Sequence, residues 1–111
     1  MSNISPEILQ ALQACVGESR VLTDPDSLAL YGRDWTRAHA PAPSAVVLPG
    51  SIAEVQAVVE LARARQLALV PSGGRTGLSG GAMACHGEVV VALDRLNRLE
   101  DFNPVDRTVR C

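Results

Sequence analysis

Apolar residues along the chain fall into two kinds of grouping, stripes at helical spacing and short continuous runs. In SPEILQALQACVG, Ile8, Leu9, Leu12 and Val16 recur at the spacing that places side chains on one side of a helix. Ser5 is placed to cap that helix, Pro6 suits its first turn, Glu7 meets the positive end of its dipole and Gly17 can end it. TDPDSLALYG repeats the pattern in short form, with Asp24 as cap, Pro25 at the first helical position and Gly32 as stop. DWTRAHAPAPS follows, and its prolines and small residues mark an irregular connection.

From Ser44 the pattern becomes more regular. AVVLP (45–49) is short, apolar and β-branched, and predicts a buried strand. SIAEVQAVVELARARQ opens with a capping box, Ser51 with Glu54 three residues on. Its Ile52, Val55, Val58, Val59 and Ala62 recur at helical spacing and are expected to face the core, leaving Glu54, Glu60, Arg63 and Arg65 to water. LALVP (67–71) and EVVVAL (88–93) predict a second and a third strand. Strand, helix and strand with short joins make a βαβ unit with parallel strands and a right-handed crossover. DRLNRLEDFNP reads as polar and turn-rich, and DRTVRC as a fourth strand beginning. The fold class predicted is α/β (α+β), with a helical lead-in over 1–43 and a small βαβ subdomain over 44–111.

Composition narrows the function classes. At 111 residues there is room for one domain and one modest core, and 47% apolar residues with a net charge of −2 argue against disorder. A nucleic-acid module is not expected, because Tyr31, Trp35 and Phe102 are the only aromatics and the basic residues form no run. All ten basic residues are arginine, so no lysine-dependent chemistry is open to the chain. Cys15, Cys85 and Cys111 are odd in number and lack metal spacing, which favours a reducing compartment. MSNISPEILQ lacks the charged start and apolar core of a leader, and no apolar stretch approaches membrane-spanning length. A cytoplasmic location is expected.

The candidate chemistry lies in PSGGRTGLSGGA (71–82), which follows the second strand. Crevices at the carboxyl ends of parallel strands bind ligands, and successive N–H groups of a loop there can converge on an anion. Glycine permits positive φ and close approach to the main chain, Ser72, Thr76 and Ser79 add hydroxyls, and Arg75 adds a charge. GxxxxGK[ST] fails for want of lysine, and GGxxGxxGG is not GxGxxG. The residues alone leave open a phosphate-binding loop and a tight connector.

PSGGRTGLSGG resembles the pyrophosphate loop of the FAD-linked oxidases, the vanillyl-alcohol-oxidase or PCMH-type flavoproteins. The whole run LPGSIAEVQAVVELARARQLALVPSGGRTGLSGGA is similar to that family's opening strand, helix, strand and loop. YGRDWTR before it and LDRLNRLEDFNPVDRTVRC after it resemble the branch that oxidises D-2-hydroxy acids, with the DW pair and RLNR most similar to its D-2-hydroxyglutarate type. The resemblance implies the first part of a PCMH-type FAD-binding domain. It places the FAD pyrophosphate on Pro71, Ser72, Gly73, Gly74, Arg75, Thr76 and Gly77, with Ser79, Gly80 and Gly81 completing the turn. Some relatives attach flavin through a histidine directly after the glycine pair; Arg75 stands there in this chain, which implies non-covalent FAD.

Members of the family run to several hundred residues, so the resemblance also implies an N-terminal fragment. Contacts to a small-molecule 2-hydroxy acid would lie in the missing C-terminal part. No catalytic residue and no metal ligand is assigned to these 111 residues. Alone, the chain is expected to be colourless, inactive and prone to self-association through uncovered apolar surface. The alternatives are an inactive remnant, a stand-alone module for a phosphate-bearing ligand, and a structural βαβ domain. His39 and His86 are read as solvated and Cys85 as a small semi-buried residue; Asp34 is read as a capping carboxylate and Trp35 as a packed indole, with contact to the flavin or the missing part as the alternative for both. Arg95 and Arg98 are expected on a solvated face or paired with Glu100 or Asp101.

Overall fold

A computed structural model describes residues 4–111; Met1–Asn3, the start of the stretch read above for a leader, lie outside the described residues. The elements are α1 (Pro6–Val16), a 3₁₀ turn (Glu18–Arg20), β1 (Val21–Leu22), α2 (Pro25–Tyr31), β2 (Ala45–Val47), α3 (Ile52–Arg65), β3 (Leu69–Ser72), β4 (Val89–Ala92), β5 (Glu100–Asn103) and β6 (Thr108–Arg110). None of these helices is long and apolar enough to cross a membrane.

Each predicted cap forms. Ser5 accepts a hydrogen bond from the Ile8 amide at 3.3 Å, Asp24 from Ser27 at 2.9 Å and Ser51 from Glu54 at 3.1 Å. The capping box of α3 is shifted by one residue, because the Glu54 carboxylate accepts from Gly50 rather than Ser51. Ser51→Ala should therefore lower the unfolding free energy by about 1 kcal/mol, read from thermal or denaturant melts.

The main sheet has the order β1-β2-β4-β3, with β1 antiparallel and the other three parallel. The strands flanking α3 are parallel as expected, but β4 lies between them, pairing Val89–Val91 with Ala45–Val47 and Val89–Ala92 with Leu69–Ser72. Its four residues are buried on both faces, which suits a central strand made almost wholly of valine. Alternation along it divides the core. Val89 and Val91 join Val47, Leu12, Val16 and Val58 under α1 and α3. Val90 and Ala92 join Val46, Leu48, Ala84 and Leu28 on the face covered by α2. The segment before Ser44 thus packs on both faces of the sheet: α1 and Val21 of β1 join the first cluster, and α2 joins the second.

Three sequence expectations need correction. Of the apolar stripe on α3, Val58 and Ala62 are buried and Val55 half-buried, but Ile52 is 82% and Val59 49% exposed. The residues that face inward pack on α1 and the sheet, a face narrower than the spacing allows. The segment after β4 is more than turns: β5 forms within it and pairs antiparallel, in a separate two-stranded sheet, with β6, the strand expected in DRTVRC. Asn103 shapes their turn by accepting from the Val105 and Asp106 amides, both at 3.0 Å. Arg95 reaches back rather than forward, donating to the Leu48 carbonyl at 2.8 Å and pairing with Glu54 at 3.7 Å, while Arg98 pairs with Glu100.

Candidate functional site

Because β2, β3 and β4 run parallel, their carboxyl ends share one edge of the sheet. The glycine stretch leaves β3 at that edge and must return to the opposite end of the neighbouring β4, since a parallel neighbour cannot be reached by a tight turn. Residues 73–88 make this crossing without a helix. Its second half is sewn to the connection after α2. Ala84 donates to the Gly32 carbonyl at 2.9 Å, Ala42 to Ala84 at 2.7 Å, and Gly87 to Ala42 at 2.9 Å.

The first half is held at fewer points, and Asp34 supplies the main one. Asp34 as a whole is 4% exposed. It accepts from the Thr36 hydroxyl at 2.7 Å and amide at 2.9 Å, and from the Gly80 amide at 2.9 Å. These donors, the Thr36 hydroxyl first and the Thr36 amide next, hold its pKa below the ordinary aspartate value. The Asp34 amide donates to the Met83 sulfur at 3.1 Å and the Trp35 amide to the Gly77 carbonyl at 3.0 Å. Asp34 is a cap, as expected, but of the glycine loop as much as of its own turn. Trp35 is not a packed indole: it is 61% exposed, with the Arg37 guanidinium 5.4 Å from its ring centre.

Between these ties lies a bare stretch of main chain. Among the described residues, no amide N–H from Gly73 to Ser79 has a hydrogen-bond partner. A Cβ built on Gly73, Gly77, Gly80 or Gly81 meets nothing within 4 Å. Of the glycines in the loop only Gly80 sits at positive φ (+80°). Of the two uses expected of these glycines, positive φ applies at Gly80, and room for close approach to the main chain applies at most of the others. The left-handed residue at the loop's start is Arg75 (φ +58°), and the space above most of the glycines is empty. Such a backbone is open to an anion that approaches without a side chain in the way.

Side chains of the stretch behave differently from one another. Ser72 is fully buried, and its oxygen accepts from Arg75 at 3.2 Å, so its hydroxyl does not line the open surface. The Arg75 guanidinium forks onto Asp94 at 3.2 and 3.0 Å and lies 4.7 Å from the Tyr31 ring centre. Its charge is committed inside the protein rather than offered to a ligand. Pro71, Thr76 and Ser79 are exposed. A cleft of about 220 Å³ beside the loop is lined by Arg33, Trp35 and Arg37 together with Gly74, Arg75 and Thr76. A larger cleft of about 540 Å³ holds Cys85 and His86 among Pro25, Leu28 and Pro41. His39 and His86 are exposed, and among the described residues no three His, Cys, Asp or Glu side chains gather as a metal would require.

The sequence missed the ties from Asp34 and Trp35. Their signal was present only as an Asp-Trp pair in an irregular segment, far from the loop in sequence.

Residues 43–111 match the family model described as FAD binding domain. The chain is 59% identical over 104 residues to D-2-hydroxyglutarate dehydrogenase of Xanthomonas citri pv. viticola, covering 94% of this chain and 22% of that protein. It is 55% identical over 106 residues to D-2-hydroxyglutarate dehydrogenase of Stutzerimonas stutzeri, covering 96% and 23%. The chain thus spans less than a quarter of the length of these curated relatives. The structure of p-cresol methylhydroxylase with substrate bound superposes with a TM-score of 0.74 at 24% identity, over 92% of this chain and 21% of that one. That likeness shows a PCMH-type α+β fold.

Proposed function

The chain belongs to the FAD binding domain family, and from that premise we propose that its glycine stretch holds the FAD pyrophosphate. Pro71, Ser72, Gly73, Gly74, Arg75, Thr76 and Gly77 would form the cradle, with Ser79, Gly80 and Gly81 closing it. The observation that carries this reading is the run of unpartnered amides from Gly73 to Ser79 beneath glycines whose Cβ space is empty. A methyl at those positions would occupy the place of a phosphate oxygen while touching nothing in the protein. Arg75 and Ser72 contribute main chain and shape rather than a free charge or hydroxyl.

The curated relatives are named for D-2-hydroxyglutarate. The corresponding proposal is that this chain is the N-terminal FAD-binding part of an enzyme oxidising a D-2-hydroxy acid to the 2-oxo acid. The bound flavin would supply the hydride acceptor, and this chain would fix its diphosphate end. Residues 1–43 brace the loop in that assignment and 44–111 carry it. The flavin is held non-covalently at this loop, since Arg75 is no attachment residue. A cytoplasmic location fits three free cysteines. Self-association of the isolated chain fits its exposed Leu99, Phe102, Val105 and Val109 on the hairpin.

Equilibrium dialysis of FAD against riboflavin tests the cradle. Weak retention of FAD, still above that of riboflavin, is expected, because only FAD carries the diphosphate and this chain holds only part of the site; equal retention contradicts the reading. Acid precipitation of the FAD-loaded protein should leave the flavin in the supernatant, and flavin in the pellet would refute non-covalent attachment.

A further inference from the structure

We propose that Arg33 and Arg37, and not the loop's own Arg75, supply the positive charge that holds a diphosphate over Gly73–Ser79. This rests on the cradle reading and adds residues outside the glycine stretch. A diphosphate carries more charge than main-chain amides balance by themselves, and arginine suits it because its planar fork can donate two parallel hydrogen bonds.

The chain has no lysine, and the arginine inside the loop is already spent. Its guanidinium is neutralised by Asp94 in a two-point contact, bonded to Ser72 and stacked on Tyr31. Arg33 and Arg37 differ in every respect. Among the described residues neither has a carboxylate within ion-pair distance, both are exposed, and both line the cleft that Gly74 and Thr76 also line.

Their placement is fixed rather than incidental. Both flank Asp34 and Trp35, the two residues tied to the loop through Gly80 and Gly77. Arg37 holds left-handed backbone at φ +56°, which costs a non-glycine residue about 1 kcal/mol or more. Of the other left-handed non-glycine residues, Gln66 caps α3 and Asp101 and Arg107 lie in the hairpin region; among the described residues only Arg37 and Arg75 border this cleft. Stacking on the Trp35 face, 5.4 Å away, leaves the edge N–H groups of Arg37 free to donate. Asp34 also lines the cleft, but its oxygens already accept from Thr36 and Gly80.

Calorimetric titration of the chain with inorganic pyrophosphate, at low and at physiological ionic strength, tests this. The Arg33→Gln, Arg37→Gln double variant should bind about tenfold more weakly, with a flatter salt dependence. Arg33→Lys with Arg37→Lys should restore the salt dependence and part of the affinity. Arg75→Gln with Asp94→Asn should keep the wild-type salt slope. Because Arg33 and Arg37 are exposed and unpaired, thermal melts of their variants should match wild type. Wild-type affinity and slope in the double glutamine variant would overturn the assignment while leaving the cradle intact. Absence of pyrophosphate binding by the wild-type chain would remove the cradle and the arginine assignment together.

Discussion

Replacing Gly73 by alanine should leave the chain as stable as before, or slightly more so, while weakening its hold on FAD at least about tenfold. The two halves of this expectation have separate causes. Gly73 is not at positive φ and its missing Cβ faces open space, so alanine fits the folded backbone without strain. Alanine also narrows the unfolded ensemble, which stabilises by about 0.4–1 kcal/mol at compatible sites. The same methyl stands where a phosphate oxygen must sit to reach the amides beneath it. Gly80→Ala serves as the contrast. Its backbone lies at φ +80°, so alanine there should cost about 1 kcal/mol in a melt. A loop that were only a tight connector would show no loss of FAD in the Gly73 variant.

The second large effect is expected at Asp34. Asp34→Asn keeps the shape but turns an amide donor toward the Gly80 N–H, which the carboxylate now accepts. The cradle should lose its brace, with pyrophosphate and FAD affinity falling about tenfold, the scale usual when a supporting partner behind a binding group is removed. Amide exchange should quicken across 77–83 and remain slow in β2 and β4. Thr36→Val, which removes only the hydroxyl bond, should show a smaller loss. Acid should act on the same contact. The folded pKa of Asp34 is lowered, so its stabilising contribution is complete above the ordinary aspartate range near about 4. It should vanish only as pH falls below that range, through the lowered folded value. Trp35, the single tryptophan, sits beside it and reports the change by fluorescence. Flat emission down to the ordinary range, with a transition below it that Asp34→Asn abolishes, is expected. A transition near neutral pH would contradict it.

Local features of the fold were legible in the sequence, and features set by distant pairing were not. Ser5, Asp24 and Ser51 cap as read because a cap is decided within four residues. The valine runs became β2 and β4, but nothing in either run says that β4 inserts beside β2; that depends on register across more than forty residues. β1 is two residues long and leaves almost no pattern. Trp35 shows the limit of reading apolar residues as buried ones, since its contacts are an arginine and its backbone tie to the loop. The glycine stretch was legible as a motif. Its physical reason was not, because only coordinates separate glycines needed for positive φ from glycines kept clear above unpartnered amides.

On the proposed reading, the amides of Gly73–Ser79 receive the FAD diphosphate. Nitrogen-resolved NMR of the labelled chain, titrated with FAD and separately with riboflavin, tests it most directly. FAD should shift the amides of Gly73, Gly74, Thr76 and Gly77, while riboflavin should leave them in place. Shifts confined to other residues, or shifts of these amides that riboflavin reproduces, would contradict it.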